Sequence, residues 1–327
     1  MARFVIRRLL QMIPLLVGIT FLSFVVVALA PGDFFSTLRL NPSISPDVIH
    51  QMEVEFGYGQ PLVVRYLRWV WRVLHLDLGV SIAYRVGVLD LIAARAANTV
   101  ILALASMVFS WALAIPIGTI VALRRGSVTD RSLSFLSFLG MSVPSFFLAF
   151  LLMYLALETG WFPVGGTTSF DYPMLSPLER IGDRLQHLVL PVIVLGTGGM
   201  ASLMRLMRSN ILEIQHAEYV RTARAKGLPE WRVVGKHILR NALNPFVTLA
   251  GYELGTLLGG AALVEAVMNL QGLGTLMLDA VRSLDLYLVM GSVLMSAVLL
   301  LLGNLLADVA LTLVDPRIDF TTLEAAR

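Results

Sequence analysis

Residues 213–244 read EIQHAEYVRTARAKGLPEWRVVGKHILRNALN, a basic amphipathic insert between two strongly apolar runs, and the rest of the chain is arranged to hold it at a membrane surface. Gly227-Leu228-Pro229 divides it. Glycine suits the left-handed position just past a helix and proline suits a first helical turn, so the spacing predicts two short helices at an angle. In the first, Val220, Ala223 and Gly227 share a low, small-residue face on which a partner can sit closely. In the second, Trp231, Val234, Ile238 and Ala242 form an apolar stripe, with Arg232, Lys236 and Arg240 on another face. That pattern predicts a helix lying along lipid headgroups. A solvated basic loop obeying the positive-inside bias would explain the charge but not the hinge.

Working outward, 57% of the 327 residues are hydrophobic and 14% charged, against about 25% charged in soluble domains. The mean hydropathy is +0.78, and the chain reads as an all-α polytopic membrane protein. Its formal net charge of +3 is concentrated in a few connecting segments, which points to membrane topology rather than nucleic-acid binding. The absence of cysteine excludes disulfides, thiolate metal sites and thiol nucleophiles.

Six spans are expected. Arg3, Arg7 and Arg8 precede the first, Leu9 to Ala30, which is long enough to cross a hydrocarbon core of ~30 Å. Ala28-Leu29-Ala30 mimics a signal-peptidase site, but the run exceeds an h-region of about 7–15 residues and cleavage would leave Pro31 first, so the helix is read as retained. Residues 31–96 turn mixed and polar and are expected to form an extracytoplasmic domain between the first and second helices. Within it, Pro61 to Leu76 reads as an amphipathic helix with Arg65, Arg68 and Arg72 on one face and Tyr66, Trp69 and Trp71 suited to an interface. A helix packed on the membrane domain is the simpler reading of that segment than a substrate contact.

The second span is Asn98 to Leu123, and Arg124, Arg125 and Arg131 mark a cytoplasmic loop. The third, Ser132 to Leu157, carries Gly140-Met141-Ser142-Val143-Pro144-Ser145, which suits close helix packing or the wall of a wet path. An outer loop, Glu158 to His187, leads to the fourth span, Leu188 to Met204, capped by Arg205 and Arg208. The fifth, Pro245 to Met268, has Gly251, Gly255, Gly259 and Gly260 for close helix approach. After an outer loop, Asn269 to Asp285, the sixth runs from Leu286 to Val314. The basic segments then share one side, with both termini in the cytoplasm.

Carboxylates inside spans are expensive, so Glu253, Glu265 and Asp308 must face protein or water. Glu253 and Glu265, with Ser142 and Ser145, are candidates for the translocation path; the alternative is a hydrogen-bonded packing carboxylate, the reading preferred for Asp308. No phosphate loop of the form G-x-x-x-x-G-K-[ST] exists. The five histidines are scattered without metal-ligand spacing, and no intramembrane catalytic dyad is evident. A secondary transporter would normally show inverted repeats and broken helices, and would not need a hinged basic insert.

The run TARAKGLPEWRVVGKHILRNALNP resembles the cytoplasmic "EAA" loop of permeases of ABC importers, in its oligopeptide/dipeptide/nickel form. Ala223 and Gly227 match the general pattern, whereas Arg221 stands where a Glu is usual and Arg240 where a Pro is usual, as in the peptide-permease variant. RRLLQMIPLLVGITFLSF, GQPLVVRYLRWVWRVLHLDLGVS, NLQGLGTLMLDAV and Asp315-Pro316-Arg317-Ile318 are similar to the same family, although FGYGQ departs from its usual version.

The resemblance implies a type I ABC importer permease fold and four segments. These are 1–30 (cytoplasmic segment and first helix), 31–96 (extracytoplasmic domain), 97–315 (permease core with a coupling loop at 209–245) and 316–327 (cytoplasmic tail). It places the ATPase-coupling site on Tyr219, Val220, Arg221, Thr222, Ala223, Arg224, Ala225, Lys226, Gly227, Leu228 and Pro229. It implies a non-enzymatic subunit of a bacterial inner (plasma) membrane, with no cofactor of its own, ATP and Mg being bound by partner ATPases. The implied partners are a homologous permease, two ABC ATPase subunits and an extracytoplasmic binding protein. The implied cargo is di- or oligopeptide, with nickel chelate, glutathione or oligosaccharide as alternatives.

Overall fold

Long uninterrupted apolar runs with few helix breakers fold as long helices, because a backbone away from water must satisfy its polar groups within its own segment. The computed structural model describes residues 2–29, 32, 34–40, 45–55, 57, 59–260 and 262–314. In chain order the helices are α1 (Ala2–Leu29), α2 (Phe34–Arg39), α3 (Pro46–Glu55), α4 (Leu62–Leu74), α5 (Val88–Leu123), α6 (Val128–Ser142), α7 (Ser145–Thr159), α8 (Pro177–Ile214) and α9 (Glu218–Ala225). There follow α10 (Glu230–Arg232), a π-helix (Val233–Leu239), α11 (Arg240–Ala242), α12 (Asn244–Gly260), α13 (Ala262–Val267), α14 (Leu273–Arg282) and α15 (Leu286–Val314). No strand occurs among the described residues; Val80 and Gly87 form an isolated bridge. The C-terminal Asp315-Pro316-Arg317-Ile318 and the tail 316–327, together with Ala30 and Pro31 of the cleavage-like sequence and Phe56 and Tyr58 of FGYGQ, lie outside the described residues.

Among the described residues, four helices are long and apolar enough to cross a membrane, or five if the bent pair α6 and α7 is one span. The expected third span is therefore not straight: α6 and α7 meet at 98°. Pro144 is the cause, since the residue before a proline is pushed out of the α region, and Val143 sits at φ −85, ψ 120. The expected fifth span falls on α12, of 17 residues, and on α13. The sixth coincides with α15. The second and fourth begin earlier than expected. Val88 and Ile92 are buried against α14 and α15, so packing extends α5 through a stretch whose polarity resembles a loop. The early start of α8 is set by a capping box, Ser176 accepting from the Glu179 N–H while Glu179 accepts from the Ser176 N–H, with Pro177 in the first turn.

The chain divides into two units, residues 1–99 with 271–301 and residues 100–270 with 302–327. In the first, the Tyr66 hydroxyl donates to the Val17 carbonyl at 3.1 Å and meets Thr20 Oγ1 at 3.0 Å, while its ring makes an edge contact with Phe24. Tyr66 and Trp69 are thus buried inside the protein rather than presented to an interface; of the three expected aromatics only Trp71 is exposed. Arg65 lies over Phe24 and Arg72 over Tyr287, so α4 packs against the membrane helices. Asp285, fully buried, accepts from Ser81 Oγ at 2.7 Å, Ala83 N at 3.0 Å and Leu288 N at 3.1 Å.

In the second unit, glycines let α5 and α8 touch at backbone distance. A Cβ at Gly118 would stand 2.7 Å from the Met204 carbonyl oxygen, and one at Gly196 3.1 Å from that of Ser106. Ser110 Oγ also donates to the Gly196 carbonyl at 2.7 Å. Residues near 106–110 meet 196 and residue 118 meets 204, so the two helices run in the same direction. The bent pair between them brings the chain back.

Candidate functional site

The residues 213–244 lie in the second unit and fold as a hairpin of two helices, as the Gly-Leu-Pro break predicts. α9 closes in a Schellman motif: the Gly227 N–H donates to the Arg224 carbonyl at 2.9 Å and the Leu228 N–H reaches the Ala223 carbonyl at 3.4 Å, with Gly227 left-handed at φ +74. This is the conformation for which glycine carries no Cβ penalty. Pro229 then opens the next helix, accepting from Arg232 N at 2.9 Å. Across the turn, the Arg224 guanidinium donates twice to Glu230, at 2.7 and 3.2 Å. That hydrogen-bonded guanidinium holds the Glu230 carboxyl below the usual carboxylate range and raises Arg224 in turn. Arg221 pairs with Glu218 at 3.0 Å, and Asn241 Nδ2 donates to the Tyr219 hydroxyl at 3.2 Å.

The expected partner face is turned inward. Val220 and Ala223 are buried in one cluster with Met207 and Ile211 of α8, Val233 and Ile238 of the π-helix, Ala242 and Phe246. Small residues there let α9 lie close to its own chain, and they are not available to another protein. The exposed side consists of Tyr219, Arg221, Thr222, Arg224, Ala225, Lys226, Gly227 and Pro229, with Leu228 half-buried. Nothing lies within 4 Å of a Cβ built on Gly227.

The apolar stripe of the second helix also needs correcting. Trp231 is 70% exposed, whereas Val233 is wholly buried with Ile238 and Ala242. The widened turns of the π-helix are the reason. Val233 and Ile238 are five residues apart, the spacing of a π-helical hydrogen bond, and lie closer in register than in an α-helix, where they would diverge by roughly 140°. An α-helical spacing therefore selects Trp231 wrongly.

The four path candidates occupy separate places. Ser142 is exposed at the end of α6, its hydroxyl donating to the Phe138 carbonyl at 2.8 Å, and half-buried Ser145 begins α7. Glu253 accepts from the Trp111 indole N–H at 2.6 Å and faces Gly199, whose Cβ would lie 3.6 Å from Oε1. Glu265 and Asp308 are buried. Sequence reasoning missed Trp111 as the partner of Glu253, because nothing in the spacing joins residues 142 positions apart. It also missed Asp130, which accepts from Arg208 at 3.1 Å and from the Gly126 N–H at 2.9 Å. The Ser127-Val128-Thr129-Asp130 spacing of a helix start was the available signal.

Long apolar helices carrying a hinged basic knuckle are the features of a membrane transport subunit. Residues 114–320 match the family described as the binding-protein-dependent transport system inner membrane component, and residues 1–105 match that family's N-terminal membrane component. The chain belongs to this family: it is a permease of the oligopeptide/dipeptide ABC type and an inner-membrane component. It is 41% identical over 322 residues, 98% of this chain and 100% of the relative, to the oligopeptide transport system permease protein AppB of Bacillus subtilis. It is 37% identical over 335 residues, 97% and 99% of the two chains, to the dipeptide transport system permease protein DppB of Escherichia coli K12. Among solved structures, a chain of the MetNI methionine ABC transporter in an inward-facing conformation superposes with a TM-score of 0.52 at 20% identity, covering 69% of this chain and 96% of that one. This likeness establishes the fold.

Proposed function

We propose that this permease forms part of the path for di- or oligopeptides, delivered by an extracytoplasmic binding protein and driven by ATPase subunits docked on the exposed side of residues 218–229. The observation that carries the proposal is the construction of the knuckle. Its inner face is welded to the end of α8 by Val220 and Ala223, while its outer side and Gly227 are open. A push on α9 is therefore passed to α8, a 38-residue rod about 57 Å long. Work reaches the bundle only if the ATPase dimer binds two arrangements of this subunit with different affinity.

Six spans, with residues 31–96 outside and both termini in the cytoplasm, are supported by the common direction of α5 and α8 and by the return of the chain between them. The partners in this reading are a homologous permease, two ABC ATPases that hold ATP and Mg, and the binding protein. Ser142, Ser145 and Glu253 are path candidates; Glu265, enclosed on α13, needs a change of conformation to reach the path. The named relatives favour peptide over nickel chelate, glutathione or oligosaccharide as cargo.

The experiment is uptake of a labelled dipeptide by the reconstituted complex, with crosslinking from Tyr219→Cys. Import that stops on ATP depletion, with a crosslink to a nucleotide-hydrolysing subunit, is expected. Import that stops only when the ion gradient is collapsed would overturn the proposal in favour of a secondary transporter.

A further inference from the structure

Arg232, Lys236 and Arg240 are all exposed on the helix that follows the knuckle. None has a carboxylate partner among the described residues; Glu230, the nearest acidic residue in sequence, is taken by Arg224. The three cations, a row in sequence, share the outward side of the segment that contains the π-helix Val233–Leu239. The opposite side, Val233, Ile238 and Ala242, is buried. Trp231 is exposed at the start of the row, with the Arg232 guanidinium 5.0 Å from its ring centroid. The row ends at Arg240, four residues before α12 begins at Asn244.

We infer that this row binds the phosphates of anionic phospholipids in the cytoplasmic leaflet, with the Trp231 indole seated at the headgroup level beside them. Three features select lipid over protein as the occupant. The row leads directly into α12, on which the expected fifth span falls, and cations beside a span meet the negative surface of the inner leaflet. An exposed indole beside it is the side chain that membrane interfaces favour. Successive phosphates on a fluid surface also match a line of separate cations without requiring shape complementarity. The π-helix has a purpose in this arrangement, since it turns the apolar face into the protein and the basic row outward at once. Lipid held here would brace the second arm of the knuckle while its first arm, α9, is displaced.

The test uses the full-length chain in nanodiscs of phosphatidylcholine mixed with phosphatidylglycerol, one or the other brominated on its acyl chains near the glycerol. Trp231 fluorescence is isolated by difference from Trp231→Phe. Brominated phosphatidylglycerol is expected to quench it more strongly than brominated phosphatidylcholine at equal mole fraction. Each charge removed by Arg232→Gln, Lys236→Gln or Arg240→Gln should lower that preference about fivefold. The charge-preserving pair Arg232→Lys with Arg240→Lys should keep it, and the triple Gln variant should abolish it. Equal quenching by the two lipids would overturn the inference, as would a preference that survives in the triple variant. So would a Trp231 that no bilayer quenches but that an added ATPase subunit shields, for the row would then be a protein contact.

Discussion

Replacing Gly227 separates the strain of the turn from the space a partner needs. The residue is left-handed at φ +74, and a Cβ there meets nothing within 4 Å of the chain itself. Any ordinary side chain therefore carries the same backbone cost, about 1–2 kcal/mol, whatever its size. Asn, which tolerates this conformation, carries less. The turn should survive, because Val220 and Ala223 remain buried beneath it and the Arg224–Glu230 pair closes over it. Within this chain, Gly227→Ala and Gly227→Phe are thus nearly equivalent. They differ in the volume added on the open side, where an ATPase is proposed to dock. The assay is ATP hydrolysed per molecule imported by the complete transporter in proteoliposomes. Gly227→Asn is expected to stay near wild type and Gly227→Ala to lose at most about 30-fold in transport, the upper equivalent of its strain. Gly227→Phe should lose considerably more transport and hydrolyse ATP without import. If Ala and Phe behave alike, strain accounts for everything and the docking argument fails.

Gly118→Val should destabilise the protein by about 1–3 kcal/mol, because the new Cβ would be 2.7 Å from a backbone oxygen that cannot move aside; thermal unfolding in detergent checks it, with Gly198→Ala, in open space, as the control. Asp285→Ala leaves the donors of Ser81, Ala83 and Leu288 without their shared acceptor, each hydrogen bond being worth about 0.5–1.5 kcal/mol. Faster proteolysis of residues 77–87 is the expected sign. Glu253→Gln can still accept from Trp111 and should assemble normally while lowering uptake; unchanged uptake would remove it from the path. Glu230 is held below its ordinary pKa by Arg224, so its contribution is present above about pH 4.3 and is lost as pH falls through the depressed value. Hydrogen exchange of residues 224–230 should be level from pH 8 to pH 5, apart from the intrinsic rate, and rise in relative terms only below about pH 4.

Much of this architecture can be read from residue type alone. The sixth span and the break at Gly227-Leu228-Pro229 were legible because apolar length and turn chemistry are local properties. The early start of α5 was not, since Val88 and Ile92 look like loop residues until the helices that bury them are known. The 98° elbow had its signal in Pro144, but a proline within an apolar run equally fits a gentle kink. The inward orientation of Val220 and Ala223 was the largest gap. A small-residue face shows that something approaches closely, and only the folded chain shows that it is α8. The π-helix likewise has no signature in spacing, so its register could not be anticipated.

That register has a consequence for how the segment tolerates changes in length. A π-turn is equivalent to one residue inserted into an α-helix, so deleting a single residue between Val233 and Leu239 would let ordinary hydrogen bonding resume. Because the widened turns already absorb the extra residue, the deletion would leave the knuckle facing nearly the same way relative to Asn244. Homologous chains that differ by one residue here would therefore be expected to present the knuckle at nearly the same angle.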